Sequence, residues 1–111
     1  MTTVTFKYHN GYIYGVKLEG HAGFNIQGPD ILCASLSMAS MMVCNQVAEE
    51  CDCPVRYDVE DRTGLLNFEL SKKTHSMYPR VIPLFHCLKN AVLDLFSNPE
   101  YRDFICIKEE R

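Results

Sequence analysis

A histidine and a cysteine lie close together in the sequence, at positions where they could form one catalytic site. His21 follows a predicted strand, and Cys33 lies in the first turn of a predicted helix. The N-terminus of a helix carries a partial positive charge and unpaired N–H groups, and both favour a thiolate over a thiol. A nearby imidazole can take the proton of the sulfur and later give a proton to a leaving group. The pair could therefore act as nucleophile and base in the cleavage of a peptide bond.

Two further side chains lie where they could support this pair. Asp30 precedes the predicted helix and is a good N-cap, because its carboxylate can accept the N–H of Leu32 or Cys33. It could instead orient His21, and the sequence leaves both roles open. Ser37 follows Cys33 by about one helical turn and so shares its face of the helix, within reach of the thiolate or the substrate.

The start of the helix also offers donors for a reaction intermediate. The first N–H groups of a helix have no acceptor within the helix. Those of Cys33 and Ala34 are predicted to be unpaired and to bind the oxyanion that forms when the sulfur attacks a carbonyl.

The loop before the helix is rich in glycine. Residues 20–28 contain three glycines and no periodic pattern. Long loops without structure of their own are typical of binding loops, and glycine lets the backbone fold tightly over the pair and open for an extended peptide. We expect a substrate loop that includes Gly20, Ala22, Gly23 and Gly28.

Alternating apolar residues predict a hairpin before the loop. The strands are expected at 3–8 and 12–19, joined by the three-residue loop His9-Asn10-Gly11. This register places apolar residues opposite one another: Tyr8 faces Tyr12, Phe6 faces Tyr14 and Val4 faces Val16. The helix that carries Cys33 is predicted from Ile31 to about Glu50, with Pro54 beyond its end.

The rest of the chain predicts a second hairpin, a second helix and a last strand. The hairpin pairs Val55-Tyr57-Val59 with Leu66-Phe68-Leu70 around a turn at 61–64. The helix begins between Tyr78 and Pro83 and ends near Ser97. Phe104 to Ile107 is apolar on both faces, which favours a strand inside the sheet or covered at an interface. The order ββαββαβ predicts a two-layer α+β fold, with one mainly antiparallel sheet and both helices on one face.

Composition limits the class of protein. A chain of 111 residues with 47% hydrophobic content can form one core, so we expect a single domain over residues 1–111. The net charge of -3 is scattered and forms no basic stripe, which argues against direct binding of nucleic acid. We find no export signal and no stretch that approaches the ~18 apolar residues of a membrane span, and so expect a cytoplasmic protein without membrane contact.

Six cysteines are expected to remain thiols in a reducing cytosol. Cys51-x-Cys53 and His86-Cys87 could in principle supply four zinc ligands, but their spacing matches no common zinc module. We therefore predict neither a metal site nor a cofactor.

The residues around the pair resemble the motif of the bacterial ribosomal-processing cysteine proteases. The matching residues are Gly20-His21-Ala22, Gly28, Asp30-Ile31-Leu32-Cys33-Ala34 and Ser37. Leu32 and Ser35 stand where valine and alanine are more usual in that family, and Gly23 directly after the His-Ala pair adds freedom to the loop.

The resemblance implies a function and a set of roles. His21 and Cys33 would be the catalytic dyad, supported by Asp30, Ser37 and Ala34. The substrate would be the precursor of a large-subunit ribosomal protein, which loses a short N-terminal extension by cleavage after apolar and aromatic residues. The resemblance also implies a homodimer, which agrees with a sheet face and a strand edge left to cover. The Met38, Met41 and Met42 cluster is either packing material or part of that contact.

Two other classes of protein compete with this interpretation. A non-catalytic, ribosome-associated module could grip a peptide with the glycine loop, but it would have no need of histidine and thiol together at a helix N-terminus. A thiol redox or acyl-transfer protein would be expected to carry a resolving Cys-x-x-Cys pair or a cofactor site, and the sequence has neither.

Overall fold

One five-stranded sheet and two α-helices form the core of the fold in the part of the chain that the structure describes. The computed structural model describes residues 1–21, 30–51, 54–71 and 79–111. The elements are β1 (Thr2–His9), β2 (Tyr12–Glu19), α1 (Ile31–Glu50), β3 (Val55–Glu60), β4 (Leu65–Leu70), α2 (Val81–Ser97) and β5 (Ile105–Glu110), with a short 3-10 helix at Arg102–Phe104. The predicted order ββαββαβ is confirmed.

The sheet is mainly antiparallel, as predicted. Its strand order is β3-β4-β2-β1-β5, and the pairs β3/β4, β4/β2 and β2/β1 are antiparallel. Strand β5 pairs with β1 in parallel, because α2 carries the chain back across the sheet before β5 begins. Strand β5 forms one edge of this sheet, so of the two predicted placements the interior one is wrong, and coverage at an interface stays a prediction. Its apolar start fits the structure, since Ile105 is buried while the strand's end is exposed.

The first hairpin differs from its predicted register. His9 pairs with Tyr12, so the turn has two residues, Asn10 and Gly11, and both have positive φ (53° and 81°). This turn is of the kind that suits the twist of a hairpin. A bulge between Lys7 and Tyr8 then restores the facing of apolar side chains. The resulting pairs are Tyr8 with Ile13, Phe6 with Val16 and Val4 with Leu18.

Both helices bury one side in a shared hydrophobic core. Strand side chains of this core include Val4, Phe6, Val16 and Phe68, which are fully buried. The helices contribute Leu32, Leu36 and Val47 from α1, and Phe85, Leu88 and Val92 from α2. Burial of a Leu or Phe side chain contributes roughly 1.5–3 kcal/mol. This packing fixes α1 against the sheet, and with it the position of the first helical turn.

Helix α1 is also long and apolar enough to cross a membrane, judged by length and composition alone. The expectation that no stretch of the chain approaches this limit is therefore wrong. Core helices of water-soluble proteins pass the same test. In the structure α1 buries Leu32, Leu36, Cys44 and Val47 against the rest of the protein.

Candidate active site

The structure brings His21 and Cys33 together. The ring nitrogen Nδ1 of His21 lies 3.9 Å from Sγ of Cys33, within reach of a hydrogen bond to sulfur. The His21 side chain is exposed and Cys33 is half-buried, so the pair sits at the surface of the protein. The predicted proximity of the two residues is confirmed, while their catalytic role stays a prediction.

Local backbone geometry places each member of the pair. Strand β2 ends at Glu19, and Gly20 has a φ of +81°, which turns the chain out of the sheet. A side chain on Gly20 would also meet the carbonyl oxygen of Met1 at 2.7 Å. His21 follows this turn directly. Cys33 lies in the first turn of α1, and the packing of α1 in the core fixes the position of this turn. The segment that follows β2 and the start of α1 therefore meet at the same corner of the molecule.

Asp30 is the N-cap of α1, as predicted. Its Oδ1 accepts the backbone N–H of Cys33 at 2.9 Å. The Asp30 carbonyl oxygen accepts the N–H of Ala34, also at 2.9 Å. Both N–H groups that were predicted to be unpaired donors for an oxyanion are therefore engaged, and this prediction is wrong in the arrangement that the structure describes. The cap fixes the backbone that carries the sulfur.

The other side of the His21 ring contacts the turn between β3 and β4. Nε2 of His21 lies 3.1 Å from the carbonyl oxygen of Arg62. The backbone N–H of Gly20 donates to the carbonyl oxygen of Thr63 at 3.2 Å. The ring is therefore held between the start of α1 and this turn.

A cleft of about 230 Å³ opens beside the pair. One wall belongs to α1 and contains Cys33, Leu36, Ser37 and Met41. The opposite wall comes from the second hairpin and contains Val59, Glu60, Asp61, Gly64, Leu65 and Leu66. Thr2 and Leu18 of the first two strands, with Gly20 and His21 just after β2, complete the lining. The cleft combines an apolar floor with two carboxylates at the hairpin turn.

The structure places the remaining predicted site residues unevenly. Ser37 lines the cleft on the same helix face as Cys33, as its spacing predicted. Gly20 lies beside the pair and also lines the cleft. The other three predicted residues of the substrate loop, Ala22, Gly23 and Gly28, lie outside the described residues, so their role stays a prediction.

Sequence reasoning missed the contribution of the second hairpin and of Met41. Met41 could have been found, because Cys33, Ser37 and Met41 repeat at four-residue intervals along one face of the helix. The contact between the Arg62 carbonyl oxygen and His21 could not have been found, because a backbone carbonyl leaves no signal in the pattern of side chains.

The cysteines divide into different environments. Cys33, Cys44, Cys87 and Cys106 are free thiols, and burial raises the pKa of the Cys44 thiol to about 12. Cys51 is disulfide-bonded, so the expectation that every cysteine remains a thiol is wrong at this residue. Within the described ranges no three His, Cys, Asp or Glu side chains are grouped as a metal site would require.

A comparison with protein families gives one match that covers most of the chain. The family described as "Cysteine protease Prp" matches residues 1–98 of the 111. A search of curated proteins finds no match.

Solved structures share the fold over nearly the whole chain. An essential ribosomal processing protease Prp from Staphylococcus aureus, in complex with a covalently linked product peptide, has a TM-score of 0.81 and 18% identity, covering 99% of this chain and 100% of its own. The same protease in complex with a substrate peptide has the same TM-score and coverage at 16% identity. SMU.848 from Streptococcus mutans has a TM-score of 0.81 and 30% identity, covering 99% of this chain and 94% of its own.

Proposed function

We propose, because this chain belongs to the cysteine protease Prp family, that Cys33 and His21 remove a short N-terminal extension from the precursor of a large-subunit ribosomal protein. The protein is a cysteine peptidase by its family. One observation carries the assignment of the two residues: Sγ of Cys33 lies 3.9 Å from Nδ1 of His21 at the mouth of the cleft. Catalytic hydrogen bonds are often long without substrate and shorten when it binds.

The geometry supports an acylation step through this pair. Nδ1 of His21 takes the proton of the Cys33 thiol, which leaves a thiolate beside an imidazolium. The thiolate attacks the scissile carbonyl carbon, a C–S bond forms, and an electron pair moves to the carbonyl oxygen. When the carbonyl re-forms, the C–N bond breaks and the departing amine takes the proton from Nδ1. The N-terminal fragment remains on Cys33 as a thioester.

Hydrolysis of the thioester uses the same ring in the opposite order. A water molecule attacks the thioester carbon while Nδ1 takes one of its protons. The C–S bond then breaks, the carboxylic acid of the released fragment gives its proton to solvent, and the pair returns to thiolate and imidazolium. No metal or cofactor is required for either step.

The lining of the cleft supports a peptide substrate with apolar side chains. Leu36, Met41, Val59 and Leu65 offer an apolar surface next to the sulfur. Such a surface suits cleavage after an apolar or aromatic residue, because burial of that side chain contributes roughly 25 cal/mol per Å². Two solved structures of the same fold, both of the staphylococcal ribosomal processing protease, are described with a peptide bound.

The homodimer is also part of this proposal. Met38 and Met42 on α1, together with Val55 and Val59 on the edge strand β3, are large apolar side chains that are exposed in the single chain. Exposed apolar groups beside an unpaired strand edge favour association with a second copy.

The experiment is to incubate the ribosomal precursor from the same organism with the purified protein and to read the products by mass spectrometry. Wild type is expected to release one N-terminal fragment that ends in an apolar or aromatic residue. Cys33→Ala, Cys33→Ser and His21→Ala should remain folded by circular dichroism and lose at least about 100-fold in rate. Cys87→Ala is the matched control, because Cys87 is an exposed free thiol on α2.

Three results would contradict the proposal. The first is an intact precursor after incubation with folded wild-type protein. The second is wild-type turnover in a Cys33 variant. The third is binding of the extension without cleavage, which would instead favour a non-catalytic peptide-binding module.

A further inference from the structure

The turn between β3 and β4, residues 61–64, contacts the catalytic histidine through its backbone. The Arg62 carbonyl oxygen lies 3.1 Å from Nε2 of His21, on the side of the ring away from the sulfur. We infer that this carbonyl is a positioning partner of the dyad, which holds the His21 ring in the tautomer that can act as a base. The inference rests on the proposed function of His21 and Cys33.

The chemistry of a carbonyl decides which tautomer is present. A carbonyl oxygen only accepts hydrogen bonds, so Nε2 must carry the proton in this contact. A neutral imidazole has one N–H, and Nδ1 is then left with its lone pair. Nδ1 is the atom that lies 3.9 Å from Sγ of Cys33. The Arg62 carbonyl thus directs the basic nitrogen toward the thiol.

The same contact serves the charged state of the ring. When Nδ1 takes the thiol proton, both ring nitrogens become donors. Nε2–H keeps its bond to Arg62, and Nδ1–H faces the thiolate. The ring therefore need not turn between its two protonation states, and little reorganisation accompanies proton transfer.

The turn itself is fixed against the chain segment that bears His21. Gly20 N–H donates to the Thr63 carbonyl at 3.2 Å, and Gly64 N–H donates to the Asp61 carbonyl at 3.3 Å. Gly64 has a φ of +65°, and the two backbones approach so closely that a Cβ on Gly64 would meet the Gly20 carbonyl oxygen. The same Cβ would lie 3.3 Å from Cε1 of His21. The absence of a side chain at Gly64 is what lets the turn reach the histidine.

Gly64→Ala is therefore the substitution that should move the turn away from His21. Gly11→Ala is its matched control, because Gly11 also has positive φ (+81°) in a hairpin turn but a Cβ there would meet no atom within 4 Å. Both variants carry the strain of an L-residue at positive φ. They differ because only the added methyl group of Gly64→Ala would contact His21 of the dyad.

The kinetic measurement is cleavage of the precursor by both variants. Gly64→Ala is expected to lower kcat by about 10- to 100-fold, the usual effect of losing a group that orients a functional histidine. KM should change little, and Gly11→Ala should stay within about twofold of wild type in both constants. Equal losses in the two variants, an unchanged kcat in Gly64→Ala, or a rise in KM alone would overturn the inference.

A spectroscopic measurement does not depend on activity or on the Gly64 variant. The ¹⁵N NMR signals of His21, identified by their loss in His21→Ala, report the tautomer of the ring when it is neutral. In the neutral ring of wild type and of Cys33→Ala we expect Nε2 protonated and Nδ1 unprotonated. A neutral ring with its proton on Nδ1, or a mixture of the two neutral tautomers, would overturn the inference.

The two measurements separate this inference from the proposed function. A wild type that fails to cleave the precursor removes the proposed function, whatever the tautomer of His21. A wild type that cleaves through Cys33 while its neutral His21 ring carries the proton on Nδ1 removes the positioning role alone.

Discussion

Asp30 couples the start of α1 to the residue that would attack the substrate. Its carboxylate accepts the N–H of Cys33, and its carbonyl accepts the N–H of Ala34. The sequence predicted the cap, and it also predicted that these N–H groups bind an oxyanion. The capping preference of Asp indicates that one early N–H is accepted, and it does not indicate which one. The identity of the bonded N–H groups is a property of the folded backbone.

Loss of this cap should be measurable as loss of stability. Asp30→Ala is expected to lower the free energy of unfolding by about 1 kcal/mol, within the 0.5–2 kcal/mol typical of capping residues. Asp30→Asn keeps an oxygen acceptor and should lose only a few tenths of a kcal/mol. Urea titration followed by circular dichroism measures both. An Ala variant as stable as wild type would contradict the capping role.

The two variants also separate the roles that the sequence left open for Asp30. If the residue acts as a cap, the rate of cleavage should follow stability, and Asp30→Asn should resemble wild type. If the negative charge itself orients His21, cleavage should fall in Asp30→Asn although the fold is retained.

Other residues of the site could be predicted to different degrees. His21, Cys33 and Ser37 follow from residue type and spacing, since chemistry and helical periodicity both act on side chains. Arg62 contributes through its carbonyl oxygen and Gly64 through the lack of a side chain. A backbone carbonyl leaves no trace in the sequence. The lack of a side chain at Gly64 does not distinguish this residue from any other glycine in a turn.

At the scale of elements, the order, the type and the pairing of the second hairpin were predictable, and the register of the first hairpin was not. The period of apolar residues predicted the strands, the N-cap residue Asp30 predicted the start of α1, and prolines predicted the limits of the two helices. The first hairpin was predicted with a three-residue loop because a two-residue turn opposes apolar and polar faces. The bulge between Lys7 and Tyr8 resolves that conflict within the strand. A single inserted residue in a ladder has no distinctive sequence pattern, so this register needed the structure.

The edge strand β5 is attached to α2 by a cluster of charged side chains. Lys89 on α2 donates to the Glu109 carboxylate at 2.6 Å and to the hydroxyl of Tyr8 on β1. Arg111 donates to the same carboxylate at 2.8 Å. Hydrogen bonds from Lys89 and then Arg111 lower the pKa of Glu109 from 4.5 to about 2. The carboxylate is thereby held in its charged form.

The pKa of Glu109 predicts how acid affects this strand. A carboxyl group with a lowered pKa in the folded state stabilises that state above its ordinary pKa, and this contribution is lost as the pH falls toward the lowered value. The attachment of β5 should therefore be complete above about pH 4.5 and weaken progressively toward pH 2. Amide exchange of residues 105–110 against pH measures this change.

Variants of the cluster provide the controls. Lys89→Met should speed the amide exchange of β5 at neutral pH and reduce the further change in exchange between pH 4.5 and 2. Glu110→Gln removes the next carboxylate on the same strand and should leave the pH dependence of amide exchange unaltered. An unaltered pH dependence in Lys89→Met would contradict the assignment of the effect to Glu109.

At the scale of the whole molecule, the apolar surface of α1 tests the proposed dimer. Met38 and Met42 are 61% and 65% exposed in the single chain, more than most methionines that serve as core packing. We expect light scattering at micromolar concentration to give a mass of about twice 12.7 kDa. A monomer under these conditions would contradict the proposal.

Charged substitutions locate the contact between the two copies. Met38→Lys and Met42→Lys, alone or together, should shift the protein toward the monomer because a lysine is costly to bury at an interface. Leu93→Lys is the control, since Leu93 is an exposed apolar residue of α2. If all three substitutions weakened the dimer equally, the result would indicate a general loss of solubility or fold, and not a contact at α1.

The central claim is that one thiol, Cys33, carries the cleavage of the ribosomal precursor. The most direct measurement is a titration of the native protein with limiting iodoacetamide. Mass spectrometry gives the modified fraction of each free cysteine, and the same samples are assayed for cleavage.

Cys44 serves as an internal reference, because its buried thiol, with a pKa of about 12, should remain unmodified until the protein unfolds. We expect the remaining activity to fall in direct proportion to the modified fraction of Cys33, whatever the state of Cys87 and Cys106. Full cleavage by protein whose Cys33 is completely modified, or a loss of activity that follows another cysteine, would contradict it.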